Sequence, residues 1–154
     1  MTTTTGTRQF CTFFLDGHHF GVEVERVQEV LRHQQSTRVP LAADVVRGLI
    51  NLRGQIVTAI DLRARLGFPE RTGGRDPMNV VIRADDGAVS LLVDEIADVI
   101  EVDEADWERR PDTVQGLARE VITGAYKING RLLLELDTAR AIDTNTAGAR
   151  VAAA

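Results

Sequence analysis

Apolar and polar residues alternate over short stretches of this chain, and turn residues interrupt the alternation. Phe20-Gly21-Val22-Glu23-Val24 has the period of two expected of a half-buried strand. Residues 10–15 predict a strand before it, with Asp16-Gly17 as the turn between them. Residues 24–31 fit two periods. Val24, Val27, Val30 and Leu31 recur at helical spacing, while the β-branched content favours a strand from Val27 onward. Pro40 marks a turn, and residues 42–47 predict one short helical turn. Residues 49–53 and 55–60 form two β-rich runs joined at Gly54. Asp61 then precedes a run of good helix formers as an N-cap does, and Gly67 with Pro69 closes that helix. Residues 70–77 hold Gly73 and Gly74 and predict a loop. Residues 78–84 and 88–93 predict a hairpin across Asp85-Asp86-Gly87, and 96–102 a strand. Residues 103–120 are polar and irregular. Residues 126–129 and 132–136 make a further hairpin at Gly130, and Asp137 caps a short helix ending at Ile142.

Two of these stretches occur twice. The segment from Gly48 to Asp61 returns 76 residues later as Gly124 to Asp137, with both glycines of the hairpin pattern and the closing Asp retained. Residues 24–31 are echoed by 93–100 at an offset of 69. Shared positions serve a shared scaffold, so the informative positions are those that differ. Arg53, whose counterpart is Asn129, is the strongest.

About ten short strands broken by turns predict an all-β protein of antiparallel barrels, and the repeat predicts two of them, pseudo-symmetric. The expected unit spans residues 8–142, with barrel cores near 10–66 and 78–142 and terminal strands open to exchange between them. Residues 1–7 and 143–154 are expected to be disordered tails. Small barrels are filled by their own side chains, so room for a ligand is expected between them.

Composition narrows the function. The net charge of −5 argues against nucleic acid as partner, because phosphate contacts need a concentrated basic surface. A single cysteine, Cys11, excludes an internal disulfide and fits a reducing compartment. Met1-Thr2-Thr3-Thr4-Thr5-Gly6 has no apolar signal region, and no apolar run approaches the ~20 residues of a membrane span. A soluble cytoplasmic protein is expected.

Candidate chemistry is sparse. His18 and His19 are adjacent, so on a strand they face opposite ways and do not share a metal; His33 is alone. Ser36 and Ser90 lack an elbow motif. Cys11 lies in an apolar strand and is expected to be a buried, inert thiol. Asp85-Asp86-Gly87 suits a hairpin turn better than a metal site. Asp61 and Asp137 recur, which capping explains without catalysis. Trp107 suits local packing more than an interface. No phosphate-binding glycine loop is present, and no cofactor is expected. The tool kit for covalent, metal or phosphoryl chemistry is missing, which favours a binding module, such as an SH3-like module for a peptide or RNA, over a small hydrolase using Asp61 and Glu29. Only seven Phe, Trp and Tyr residues are available for a stacking platform.

Four stretches together resemble the CheW-type chemotaxis coupling proteins. They are Phe20-Gly21-Val22-Glu23-Val24 leading into Val27-Gln28-Glu29-Val30; Thr37-Arg38-Val39-Pro40 with Gly48-Leu49-Ile50-Asn51-Leu52-Arg53-Gly54; Ile60-Asp61-Leu62-Arg63; and Val93-Asp94-Glu95-Ile96-Ala97-Asp98-Val99. The resemblance covers residues 10–142. The Ile-Asn-Leu-Arg-Gly run with Asp-Leu-Arg downstream marks this family and the homologous regulatory domain of the kinase CheA; without kinase or phosphotransfer sequence, the free-standing adaptor is expected. Thr58-Ala59 stands where the family usually has a Pro, Phe20 replaces a usual Tyr, and Tyr126-Lys127-Ile128 and Glu135 depart from a more apolar norm. These changes leave open flagellar chemotaxis or a related chemosensory pathway.

The resemblance implies two SH3-like five-stranded barrels with a hydrophobic groove between them and no enzymatic activity. It implies a bridge between the helical cytoplasmic tip of a chemoreceptor and the CheA regulatory domain. The protein would be a monomer alone, assembled in receptor arrays at the inner membrane without inserting into it. Carried over by motif, the receptor face comprises Val27, Glu29, Gly48, Asn51, Arg53 and Val99. For Arg53 the structural alternative is an internal bond to Asp61 or a hairpin carbonyl; for Gly48 it is a backbone turn; for Val27 and Val99 it is core packing. The kinase contact is assigned to Leu31, Arg32, Arg47 and Arg110.

Overall fold

Three tight hairpins turn through the same backbone shape. Asp16–Gly17, Arg53–Gly54 and Asn129–Gly130 have φ of 52° and 80°, 51° and 88°, and 49° and 79°. Two successive positive φ values are the signature of type I′ turns, whose twist matches that of paired strands. The computed structural model describes residues 6–85 and 87–143. In chain order it contains β1 (Thr7–Leu15), β2 (His18–Glu23), a 3₁₀ turn (Val24–Arg26), β3 (Val27–Leu31), β4 (Val46–Leu52), β5 (Gln55–Asp61) and α1 (Leu62–Leu66). There follow β6 (Met78–Ala84), β7 (Gly87–Val93), β8 (Glu95–Asp103), a 3₁₀ turn (Glu104–Asp106), β9 (Trp107–Arg109), α2 (Leu117–Val121), β10 (Ile122–Ile128), β11 (Arg131–Leu136) and α3 (Thr138–Ile142).

The protein is all-β, with two SH3-like halves. One is a five-stranded sheet in the order β3-β6-β7-β5-β4 and the other a six-stranded sheet in the order β8-β1-β2-β11-β10-β9. The first is contiguous from β3 to β7. The second is assembled from both ends of the chain. The sheets cut across the expected cores of 10–66 and 78–142 through the kind of exchange that expectation left open: β1–β2 and β6–β7 have changed places. The echoes locate the equivalence. Residues 24–31 and 93–100 contribute β3 and β8, each the edge strand antiparallel to a hairpin, through Val27↔Ile82 and Ile96↔Phe13. The longer echo supplies β4–β5 and β10–β11, each joined in parallel to the neighbouring hairpin, through Ile60↔Leu91 and Leu134↔Phe20. The repeat is thus circularly permuted, which a linear division of the chain misses.

Other expectations are corrected locally. Within residues 42–47 a single turn closes through the Val46 N–H to the Ala43 carbonyl at 2.9 Å, and no helix follows it. Val46 already pairs with Ile60, and the Asp61 N–H donates to the Val45 carbonyl at 2.7 Å. Residues 103–120 are more structured than their polarity suggests. β9 pairs with β10 from Trp107↔Tyr126 to Arg109↔Gly124, and Ala118 and Val121 of α2 are buried. Thr7, expected in the N-terminal tail, pairs with Asp103 as the first residue of β1. Residues 1–5 and 144–154 lie outside the described residues.

The largest apolar cluster draws on both sheets: Phe13, Phe20 and Val22 from one, Ile60, Val80, Ile82 and Leu91 from the other, closed by Leu62, Leu66, Val121 and Ala141 of the helices. Each sheet also has a satellite cluster, Ile50, Leu52, Val57 and Val81 in one and Phe10, Val102, Tyr126 and Leu133 in the other. Asp61 and Asp137 cap α1 and α3, accepting from the N–H groups of Arg63 and Arg140 at 3.0 and 3.1 Å. Such a cap contributes about 1 kcal/mol.

Candidate functional site

The β4–β5 hairpin brings three of the motif residues to its tip. Asn51 is two positions before the turn and accepts the Gly54 N–H on Oδ1 at 2.9 Å. Arg53 is itself in the turn, so its side chain projects from the end of the hairpin; it is 70% exposed. Its guanidinium meets the Glu29 carboxylate of β3, and Gln28 reaches Gln55 at 3.5 Å. β3 and β4 are the two ends of the five-stranded order. Side chains rather than ladder hydrogen bonds therefore bridge the open side of this barrel. The arginine bound to Asp61 is Arg47, so the internal partner of Arg53 is Glu29 rather than Asp61.

Val27 and Val99 lie on equivalent edge strands. The Ile96 N–H of β8 donates to Met78 Sδ of β6 at 3.3 Å, so β8 meets the five-stranded sheet at β6, the strand that neighbours β3. Val27 is half-buried and packs on the shared core, as its structural alternative requires. Val99 is 61% exposed. Val30 and Ile56, which the motif does not single out, are exposed at 41% and 59%. Ile56 is the cross-strand partner of Asn51. Alternation already placed Val30 and Ile56 on a strand face, but deciding which face is solvent requires the sheet order.

Gly48 is a different matter. A Cβ there would lie 2.4 Å from the Thr37 carbonyl oxygen, which with its N–H pairs Leu49. The space left by the missing side chain is filled by the chain's own backbone, not kept clear for a partner helix. Gly124 repeats the device with Trp107, whose indole Nε1 would lie 2.2 Å from an added Cβ and donates to Glu135 at 3.0 Å. Of the residues proposed for a kinase contact, Arg47 is committed to Asp61, with Nε at 3.0 Å and Nη2 at 2.5 Å from Oδ2. Arg110 donates to the Ile122 carbonyl at 3.3 Å. Leu31 packs on the satellite core of the five-stranded sheet, and Arg32 is exposed.

Asp94 lies at the crossing between β7 and β8. It accepts from Arg63 Nε and Nη2 at 2.8 and 2.6 Å, from Arg71 Nε at 3.1 Å and from the Asp16 N–H at 2.8 Å. Burial opposes its ionisation, but the Arg63 guanidinium, the Asp16 N–H and Arg71 outweigh that and hold its pKa down at about 2. It ties α1 and the following loop to the β1–β2 turn, and so one sheet to the other. Asp61 is buried, with its oxygens taken by the α1 cap and Arg47. Burial raises the pKa of the Cys11 thiol. His18 stacks on Phe68 at 5.6 Å and His19 on Phe14 at 4.8 Å, on opposite faces of β2 as expected. Among the described residues, no group of three or more metal-ligating side chains is assembled, and no helix is long and apolar enough to cross a membrane.

Two SH3-like halves whose sheets share one apolar core define the class: an all-β double-barrel protein. The family described as "CheW-like domain" matches residues 9–145, and the chain belongs to that family. It is 33% identical to the chemotaxis protein CheW of Bacillus subtilis over 139 residues, 90% of this chain and 89% of that one. It is 32% identical to chemotaxis protein CheW of Klebsiella aerogenes, covering 84% of this chain and 78% of that one. The crystal structure of the scaffolding protein TtCheW from Thermoanaerobacter tengcongensis is similar with a TM-score of 0.77 and 26% identity, covering 86% of this chain and 90% of that one.

Proposed function

We propose that the protein is a non-catalytic cytoplasmic adaptor that couples the helical tip of a chemoreceptor to the regulatory domain of the kinase CheA. The observation that carries this reading is the exposed Arg53 guanidinium at the hairpin tip, next to Glu29, Asn51 and Ile56. An exposed ion pair contributes about 0–1 kcal/mol, so a partner carboxylate or helix carbonyl can displace Glu29 at little cost. A guanidinium then offers planar, two-point binding. Val99 and Val30 supply apolar contact from the two edge strands, which suits a helix laid along the seam. Gly48 acts inside the barrel, and Val27 supports the surface from beneath. For the kinase, Leu31 and Arg32 at the end of β3 are the remaining candidates for contact, while Arg47 is held by the Asp61 carboxylate and Arg110 by the Ile122 carbonyl.

A stiff double barrel carries a displacement of the receptor helices to the kinase as a rigid body, and repeated weak contacts in an array give avidity. Titration of ¹⁵N-labelled protein with a receptor-tip fragment should shift Arg53 and Val99 and leave Gly124 unmoved. Saturating fragment with no shift at either residue would remove the receptor assignment. Failure to co-purify the CheA regulatory domain, with the receptor shifts intact, would remove the kinase half alone.

A further inference from the structure

A hollow of roughly 650 Å³ opens beside the β1–β2 turn, walled by Phe20, Leu66, Phe68, Val114, Ala118 and Leu134. No residue proposed above for receptor or kinase contact lines it. A second hollow of roughly 450 Å³ adjoins it and shares Phe14, Gly17 and Arg131 with it. The wall of this second hollow carries Arg63, Arg71, Arg75 and Arg131 against only two carboxylates, Asp94 and Glu95. That surplus of positive charge stands out on a chain of net charge −5. Asp94 is already shared by Arg63 and Arg71. Among the described residues Arg75 and Arg131 form no salt bridge. Arg131 lies over the Phe14 ring at 5.7 Å, at the junction of the two hollows.

The larger hollow falls within the range of small-ligand sites, which pair an apolar body with a few placed polar groups. His19 supplies one such group: its Nε2 is buried and has no hydrogen-bond partner among the described residues. Burial, with Arg131 nearby, holds its pKa below the ordinary histidine value, so the ring is neutral at pH 7 and offers a hydrogen bond without adding charge. A concave wall with an excess of positive charge also concentrates anions.

We propose that this joined cleft binds an amphipathic anion, a medium-chain carboxylate whose chain fills the apolar hollow and whose head group lies at Arg131 and Arg75. A single flexible chain with one anionic head matches an apolar hollow that opens onto an arginine-lined one.

The test uses the full chain, labelled with ¹⁵N, at pH 7.5. Sodium decanoate is titrated below its micellar range, with decanol and decyltrimethylammonium as controls. Saturable shifts are expected at Gly17, His19, Gly67 and Ala118. Decanoate should bind more tightly than decanol, and the ammonium should not bind. Arg131→Gln and Arg75→Gln, both exposed positions, should each weaken decanoate about tenfold while leaving decanol unchanged. Thr113→Trp, at the exposed rim, should block both. Equal affinity for decanoate and the ammonium overturns the proposal, as does decanoate binding indifferent to both arginine changes, or shifts confined to Arg53 and Val99. A short acidic peptide with one leucine anchor that saturates the cleft at lower concentration than decanoate also overturns it and assigns the cleft to a protein segment.

Discussion

Arg53 occupies a backbone position that asparagine fills in the equivalent hairpin. Both residues have φ near 50°, 51° for Arg53 and 49° for Asn129. Left-handed backbone costs an ordinary L-residue roughly 1–2 kcal/mol, and Asn is one of the few exceptions. An arginine there works against its own turn, a local conflict of the kind that proteins tolerate at working surfaces. The repeat made this residue conspicuous, because its partner in the echo kept the better turn former. Its contact with Glu29 joins strands that only the sheet order brings side by side. Arg53→Asn should therefore retain or raise stability in urea unfolding, by about 0–1 kcal/mol after the exposed ion pair is lost. It should weaken binding of a receptor-tip fragment about tenfold. A stability loss above about 1 kcal/mol, or unchanged affinity, would show that Arg53 serves the barrel rather than a partner.

At the scale of elements, strands were legible wherever alternation and turn chemistry agreed. The caps at Asp61 and Asp137 announced α1 and α3. β9 and α2 were not legible, because elements of three and five residues are too short to show a period. Their order comes from tertiary contacts: Trp107 over Gly124, and Ala118 and Val121 in the shared core. The two echo glycines differ in what they accommodate. At Gly48 an added methyl meets backbone, the Thr37 carbonyl, whereas at Gly124 it meets the outer part of an indole that is 44% exposed at residue level. Backbone held by a two-way bridge to Leu49 yields less readily than a half-exposed ring. Gly48→Ala should cost roughly 1–3 kcal/mol, the range for overpacking, and Gly124→Ala less. Thermal melts compare the two directly. At a temperature where Gly48→Ala remains folded, its affinity for the receptor fragment should equal that of the parent. A weakened affinity in the folded variant would restore Gly48 to the contact surface.

The molecule as a whole depends on how two sheets from interleaved chain segments are held together. A linear reading of the repeat found two similar halves but could not show that one is continuous and the other is closed by both chain ends. That distinction arises from pairing between residues about ninety apart, such as Phe10 with Ile100, which no local pattern encodes. Asp94 is the polar lock at the crossing, shared by Arg63, Arg71 and the β1–β2 turn. Its folded pKa of about 2 lies below the ordinary value of 3.8, so folding favours the ionised carboxylate. The stabilisation is fully present above about pH 4 and is lost as pH falls towards 2. Partial exposure reduces it to on the order of 1–2 kcal/mol. Asp94→Asn should be less stable than the parent by that amount at pH 6, and the two unfolding free energies should converge as the pH is lowered from 4 to 2. Urea titrations at intervals across this range measure the difference. A gap that persists unchanged at pH 2 would mean that the lost hydrogen-bond geometry, rather than the charge of Asp94, holds the two barrels in register.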